Sequence, residues 1–411
     1  MSGLLPVLCL AETAYDLNAK GGRAMEQGRS EEAVSYFKEA LRLAPENKVI
    51  RANLSVSYNN LALDYDAGGD FDRANLMMEK AFAADPDSAL IKKNYGMLLT
   101  NQAWRRFDGK RDESEILPLL EKALGYTTAL PQAYILLGEI YFKRDEQKRA
   151  AENWDKALSL DPSLKEVKKK LKKLSKEIKT EKEFSSHSGE HFKVKFEGIE
   201  LWSDAWTVLE ILESVYYRLG GIFNLFPDRP ITVIIYTQEQ FRDISGTPDW
   251  IAGVYDGKIR IGKGLLAGDR ETLKRVLYHE YTHAFIHSYI GTEIPVWLNE
   301  GIAQYFEDPE RRGSLRDHER EFVKERLAVL PFLDVEKINE MFNSASAEEE
   351  SRFAYFFAKS FVALLVRKEG EYSLRRVLDE LKRGSGIEDI SMKIYYNSLR
   401  GLLSEWRNSL G

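Results

Sequence analysis

Residues 279–283 read His-Glu-Tyr-Thr-His, a spacing that can do chemistry on a helix. Residues four apart stand one above the other, so both imidazoles could reach a single ion at about 2.0–2.1 Å. Glu280 lies beside that pair, placed to take a proton from a water at the ion and not to bind the ion itself. The one cysteine, Cys9, excludes both a disulfide framework and a zinc site built from several Cys. Any metal must therefore be held by His and carboxylates. His287 continues the spacing, but it stands about 12 Å along the axis from His279, and no zinc touches both. The longer pattern HExxHxxGxxH, which would bring a third histidine round, is absent because Ile286 occupies its glycine position. His287 is expected behind the ligands or in the core.

Such residues need rigid elements to hold them. A helix is expected from about Asp269, suited to an N-cap, to Gly291, suited to a C-cap, with Leu273, Leu277 and Ala284 anchoring another face. Upstream, residues 192–196 alternate as a strand, 208–219 have helical periodicity, and 231–236 form a β-branched run after Pro230. Asp256-Gly257 between 254–255 and 259–261 signals a hairpin. Residues 259–261 are expected as an exposed edge strand along which an extended chain could lie.

Sixteen residues separate His283 from Glu300, which lies within Trp297-Leu298-Asn299-Glu300-Gly301-Ile302-Ala303. This segment resembles the WLNEGxA segment of gluzincins. With HExxH before it, the region resembles a peptidase MA-like gluzincin domain over about residues 190–310, extending more weakly through a helical tail to Trp406. The resemblance implies an α+β, zincin-like fold in which Glu300, from a second helix after a turn at 291–295, completes a site for one zinc (Zn2+) with His279 and His283. It implies Glu280 as the general base. Gluzincins often place an acid four residues after the ligand Glu, behind a ligand imidazole; here that position is Gln304, an uncharged acceptor. Glu307 and Asp308 are expected as surface charge. Relatives also draw an oxyanion donor from a downstream helix, which points to Tyr355; Tyr281 and Tyr305 have packing duties inside the motif helices. Aminopeptidase relatives carry a GxMEN segment whose Glu grips a free amine. The corresponding 252–257 has no such Glu, and Asp256 is what the turn itself selects, so internal cleavage is expected.

In front of this region a pattern repeats. Ala33, Phe37, Ala40 and Pro45 recur as Ala74, Met78, Ala81 and Pro86. They recur again as Ala150, Trp154, Ala157 and Pro162, preceded by Tyr134, Leu137, Gly138 and Tyr141. A degenerate copy carries Ile116, Leu120 and Ala123. The offsets resemble tetratricopeptide (TPR) repeats over about residues 12–164, with starts near 14, 55, 97 and 131, which implies an all-α solenoid with a protein partner in its groove. Residues 165–182 hold nine Lys against three Glu. Val167, Leu171, Leu174 and Ile178 fall at helical spacing there, as in a capping helix whose lysines are solvated. The expected organisation is repeats and cap over 12–182, a polar linker over 183–190, a catalytic domain over 191–310 and a helical part over 311–411.

A net charge of −6 argues against a nucleic-acid binder. No apolar run is long enough for a transmembrane segment. The stretch 4–11 reads equally as an incomplete export signal or as an ordinary first helix, leaving envelope and cytoplasm both open. Two functions of different class follow. One is a zinc endopeptidase acting on a peptide or protein substrate, with substrate or partner recruited by the repeats. The other is a repeat scaffold with an inactive or structural peptidase-like domain.

Overall fold

The computed structural model describes residues 12–108, 113–246, 252–290, 294–330, 334–342 and 348–411. The apolar stretch 4–11 and Gly291 lie outside the described residues. The chain divides into two compact units between Lys172 and Lys173.

The first unit is a series of helix pairs: α1 (Ala14–Glu26) with α2 (Ser30–Leu43), α3 (Lys48–Ala67) with α4 (Phe71–Ala84), α5 (Ala89–Asp108) with α6 (Glu113–Tyr126), and α7 (Pro131–Lys143) with α8 (Gln147–Leu160). Ala33, Ala40, Ala74, Ala81, Ala123, Ala150 and Ala157 are fully buried, because small side chains let paired helices close together. Phe37, Met78, Leu120 and Trp154 fill the space between them. The second and third pairs begin earlier than the starts expected near 55 and 97. Asn47 accepts the N–H groups of Val49 and Ile50, which sets the start of α3. Both α3 and α5 reach 20 residues against 13 for α1 and α7, so the additional residues lengthen first helices. Helix α9 (Lys165–Thr180) buries Val167 and Leu174 and exposes most of its lysines; the division between units falls within it.

The second unit is built on a mixed sheet of order β1-β2-β3-β5-β4, formed by β1 (Ser185–Ser188), β2 (Phe192–Phe196), β3 (Ile231–Tyr236), β4 (Gly253–Tyr255) and β5 (Ile259–Gly262). β2, β3 and β5 are mutually parallel, and the outer strands β1 and β4 run antiparallel to their neighbours. Two sequence expectations are corrected here. The polar stretch 183–190 is not a linker, since it contains the edge strand β1: Ser185, Ser186 and Ser188 face solvent while His187 turns inward. An edge position with one solvated face tolerates serines that no central strand would. Residues 259–261 are not an edge either. β5 is buried at every residue, because the hairpin folds β4 outward to cover it.

One face of the sheet presents Phe192, Val194, Phe196, Val233, Ile235, Ile259 and Ile261 to α10 (Trp202–Phe223) and α12 (Arg270–Ile290). The other presents Ile234 and Tyr236 to Phe241 and Ile244 of α11 (Gln238–Ser245). The helical remainder comprises α13 (Val296–Glu307), α14 (Asp317–Val329), α15 (Val335–Phe342), α16 (Glu348–Glu369), α17 (Tyr372–Lys382), α18 (Ile387–Tyr395) and α19 (Leu399–Asn408). Helix α16 is its axis, packing on α13, α14, α15, α17, α18 and α19.

Trp406 of α19 shows how the end of the chain supports that axis. Its indole N–H donates to Ser360 Oγ at 2.9 Å, and its ring meets Phe357 edge-on at 4.8 Å. Trp406→Ala is expected to destabilise the second unit by about 3–5 kcal/mol. Urea unfolding of the full chain, followed in that unit, would read this; a loss below about 1 kcal/mol would mean the pocket collapses without cost.

Candidate functional site

Helix α12 starts where Asp269 Oδ1 accepts the Thr272 N–H at 2.8 Å. Leu273, Leu277, Ala284, Tyr281 and Phe285 bury one side of it in the core, which leaves His279 and His283 together on another side. Their Nε2 atoms are 3.1 Å apart. Glu300, from α13, brings Oε2 to 3.5 Å from His279 Nε2 and Oε1 to 3.6 Å from His283 Nε2. Among the described residues these three form the group of ligand-bearing side chains that could hold an ion. A tetrahedral zinc with bonds of about 2.0–2.1 Å separates its ligand atoms by about 3.3 Å. The observed separations lie on either side of that value, and two imidazoles with one carboxylate are a donor set suited to zinc, so the residues fit the ion.

Behind His279 the structure departs from expectation. Gln304 is buried on α13 but bonds neither imidazole. Glu307, expected as surface charge, takes that place: its Oε2 lies 2.9 Å from His279 Nδ1. The reason is helical phase. Seven residues past Glu300 the helix has made nearly two full turns, so the Glu307 side chain returns to within about 20° of the Glu300 direction. That i, i+7 relation to Glu300 was the signal available in the sequence.

Glu280 is nearly buried and lies against the edge strand, where the backbone N–H of Tyr255 donates to its carboxylate. Burial pushes its pKa up to about 7, and the negative charge of Glu300 adds to the rise. Burial raises the Glu300 carboxyl less than the His279 and His283 imidazoles lower it, so it stays charged. His279 is the reverse case: burial disfavours its charge, but Glu300 and Glu307 outweigh that and raise its pKa well above the usual value. For His283 burial prevails and the pKa falls. A carboxyl of near-neutral pKa thus stands beside two imidazoles shifted in opposite directions.

The structure brings Tyr355 near this group. It projects from α16, half-buried and edge-on to Phe342, and burial followed by the charges of Glu300 and Glu280 raises its pKa. Tyr281 is instead a core residue packed on Phe192, and the Tyr305 hydroxyl donates to Glu371. His287 is neither in the core nor behind a ligand. It is exposed, with Nδ1 3.4 Å from the Tyr255 hydroxyl of β4.

Residues 217–411 match the Peptidase MA superfamily, and residues 19–47 and 131–164 match the tetratricopeptide repeat. The chain therefore carries tetratricopeptide repeats ahead of a Peptidase MA superfamily domain. Similar proteins include the Photosystem I assembly protein Ycf3 of Prochlorococcus marinus, 29% identical over 28% of this chain and 64% of that protein. The Protein O-mannosyl-transferase TMTC3 of Mus musculus is 27% identical over 34% of this chain and 15% of that protein. The chain spans less than two thirds of the length of either. Among solved structures, MamA from Desulfovibrio magneticus RS-1 is 23% identical, covering 41% of this chain and 86% of that one, with a TM-score of 0.26.

What holds Glu300 in place is the contact of α13 with α16. At Gly301 an added Cβ would lie 2.6 Å from the Ala358 carbonyl oxygen and 2.6 Å from Val362 Cγ2. Backbone cannot move aside as a side-chain tip can. Gly301→Ala is thus expected to destabilise the second unit by about 1–3 kcal/mol, despite the better helix propensity of Ala. A thermal midpoint equal to or above that of the unsubstituted protein would contradict this.

Proposed function

We propose that this chain is a zinc-dependent peptidase that cuts peptide bonds within a chain, with substrate or a partner protein recruited by its repeats. The observation that carries this reading is the convergence of His279, His283 and Glu300 around one point, with Glu280 beside it in a buried, near-neutral state. His279 and His283 would hold one zinc through Nε2 and Glu300 through its carboxylate, while Glu307 fixes the His279 ring from behind. When bound, zinc supplies Lewis acidity, polarising a carbonyl and bringing the acidity of water near neutral pH.

The chain's own residues do the rest. Glu280 takes a proton from the attacking water and returns it to the leaving amine, roles that suit a carboxyl of near-neutral pKa. Tyr355, whose phenol keeps its proton, donates to the oxygen that gains charge as water adds. The outer edge of β4, and not β5, is the edge along which an extended substrate would pair. The acid at its end, Asp256, is engaged by Arg260 and Lys173, so it is committed elsewhere than to a substrate amine. This supports cleavage within a chain over removal of terminal residues.

The scaffold alternative draws on the relatives: Ycf3 is named for assembly, and neither it nor TMTC3 is named as a peptidase. A zinc-loaded wild-type protein that leaves casein and quenched peptides uncut would favour it.

Metal analysis is expected to find one zinc per chain, lost in Glu300→Ala. Glu307→Gln is expected to weaken zinc binding by about 10- to 100-fold, as for other partners behind metal-bound histidines. Full zinc occupancy in Glu300→Ala would remove that residue from the ligand set. Glu280→Gln is expected to keep the metal and lower turnover by about 10²–10⁴-fold, since an amide cannot accept the proton. A drop of less than about tenfold would show that Glu280 is not the base.

A further inference from the structure

The face of the sheet turned away from α12 carries a buried ionic network. Arg260, on β5, is wholly buried. Its Nη2 lies 3.0 Å from Glu177 of α9, and its Nη1 donates to the Tyr236 hydroxyl at 3.0 Å. Its Nε faces both oxygens of Asp256, at 2.9 and 3.2 Å. Asp256 is also paired with Lys173, and the Tyr236 hydroxyl donates to Glu181 at 2.6 Å. Removing a guanidinium and its partners from water costs several kcal/mol per ion, and apolar residues of the same volume are often as stable. A site that keeps the ions gains geometry in return: a planar fork fixes its acceptors in direction as well as distance.

The direction fixed here leads to Glu280. Asp256 directly follows Tyr255, whose N–H donates to the Glu280 carboxylate. Two residues earlier, Gly253 passes so close to α12 that an added Cβ would lie 2.8 Å from Val276 Cγ1 and 3.0 Å from Glu280 Cγ. β4 is an edge strand of three residues, paired on one side only, and too short to hold its own position. We propose that Arg260 is a positioning residue for Glu280, acting through Asp256 and the backbone of β4. This rests on the reading of Glu280 as the base of a zinc peptidase.

The network has two arms, and substitution separates them. Asp256→Asn weakens the arm to the hairpin, whereas Glu177→Gln weakens only the arm to α9. In the zinc-loaded full chain, assayed on a quenched peptide that the wild type cleaves, Asp256→Asn is expected to lower kcat about 10- to 100-fold. KM should stay within about twofold and zinc content should be unchanged, because a misplacement near 1 Å far from the substrate contacts suffices for such a loss. Glu177→Gln is expected to lower the thermal midpoint while leaving kcat within about twofold. Arg260→Lys, which keeps the charge but not the fork, should fall between the two. A readout apart from activity is hydrogen exchange at the Tyr255 amide, expected to speed up in Asp256→Asn and not in Glu177→Gln. Wild-type kcat and unchanged exchange in Asp256→Asn would overturn the proposal. So would an equal loss of kcat in Glu177→Gln, which would make the network a fastening only. A zinc-loaded wild type that cleaves nothing would instead remove the peptidase reading, and this proposal with it.

Discussion

The backbones of α13 and α16 meet at Gly301, closely enough that a single added carbon would come within 2.6 Å of a carbonyl oxygen. That approach sets where Glu300 stands relative to the two histidines. The histidines owe their mutual spacing to one turn of helix and need nothing else for it. The carboxylate has no such local guarantee, since it comes from another helix across a connection. Its position is inherited from α16, which is itself held by α14, α15, α17, α18 and α19. The long helical tail is thus the platform on which Glu300 rests.

The electrostatics follow from this convergence. Five acidic or imidazole groups crowded together cannot all keep their ordinary states. Glu300 stays ionised because two imidazoles face it, and the charged form of His279 is favoured by Glu300 and Glu307. Glu280, set apart from the imidazole pair by burial, shifts toward the neutral form. The pocket therefore pushes the pKa values of two neighbouring carboxylates apart, that of Glu280 up and that of Glu300 down, by environment alone.

The sheet divides its labour between faces. Toward α10 and α12 strands β2, β3 and β5 are apolar, giving the HExxH helix a rigid backing. Away from them it carries the Arg260 network, with Glu177 contributed by α9. Glu177 resists charging through burial, with the Arg260 and Lys258 charges pulling the other way, so its pKa is raised and the ion pair weakens as pH falls toward that value. The edge strand β4 lies between these influences, joined to the network at Asp256 and to Glu280 at Tyr255.

Local periodicity made much of this chain legible from sequence. Helical pairs with buried alanines, the strands at 192–196 and 231–236, the hairpin at Asp256-Gly257 and the paired histidines all follow from contacts within about ten residues, where the spacing of side chains on a helix or strand is fixed by geometry. Glu300 was legible only because its flanking residues resemble a known segment; its distance from His283 in the chain says nothing about distance in space. Other features were decided by tertiary structure. Which side chain reaches His279 Nδ1 depended on the phase of α13 against α12, which favoured Glu307 over Gln304. Whether β5 was an edge depended on where the hairpin folded, and a serine-rich stretch became strand β1 because β2 offered it unpaired backbone groups. The partners of Arg260 are drawn from residues 177, 236 and 256, and no pattern in sequence marks them, because a buried charge selects its partners by proximity once the sheet and helix have met.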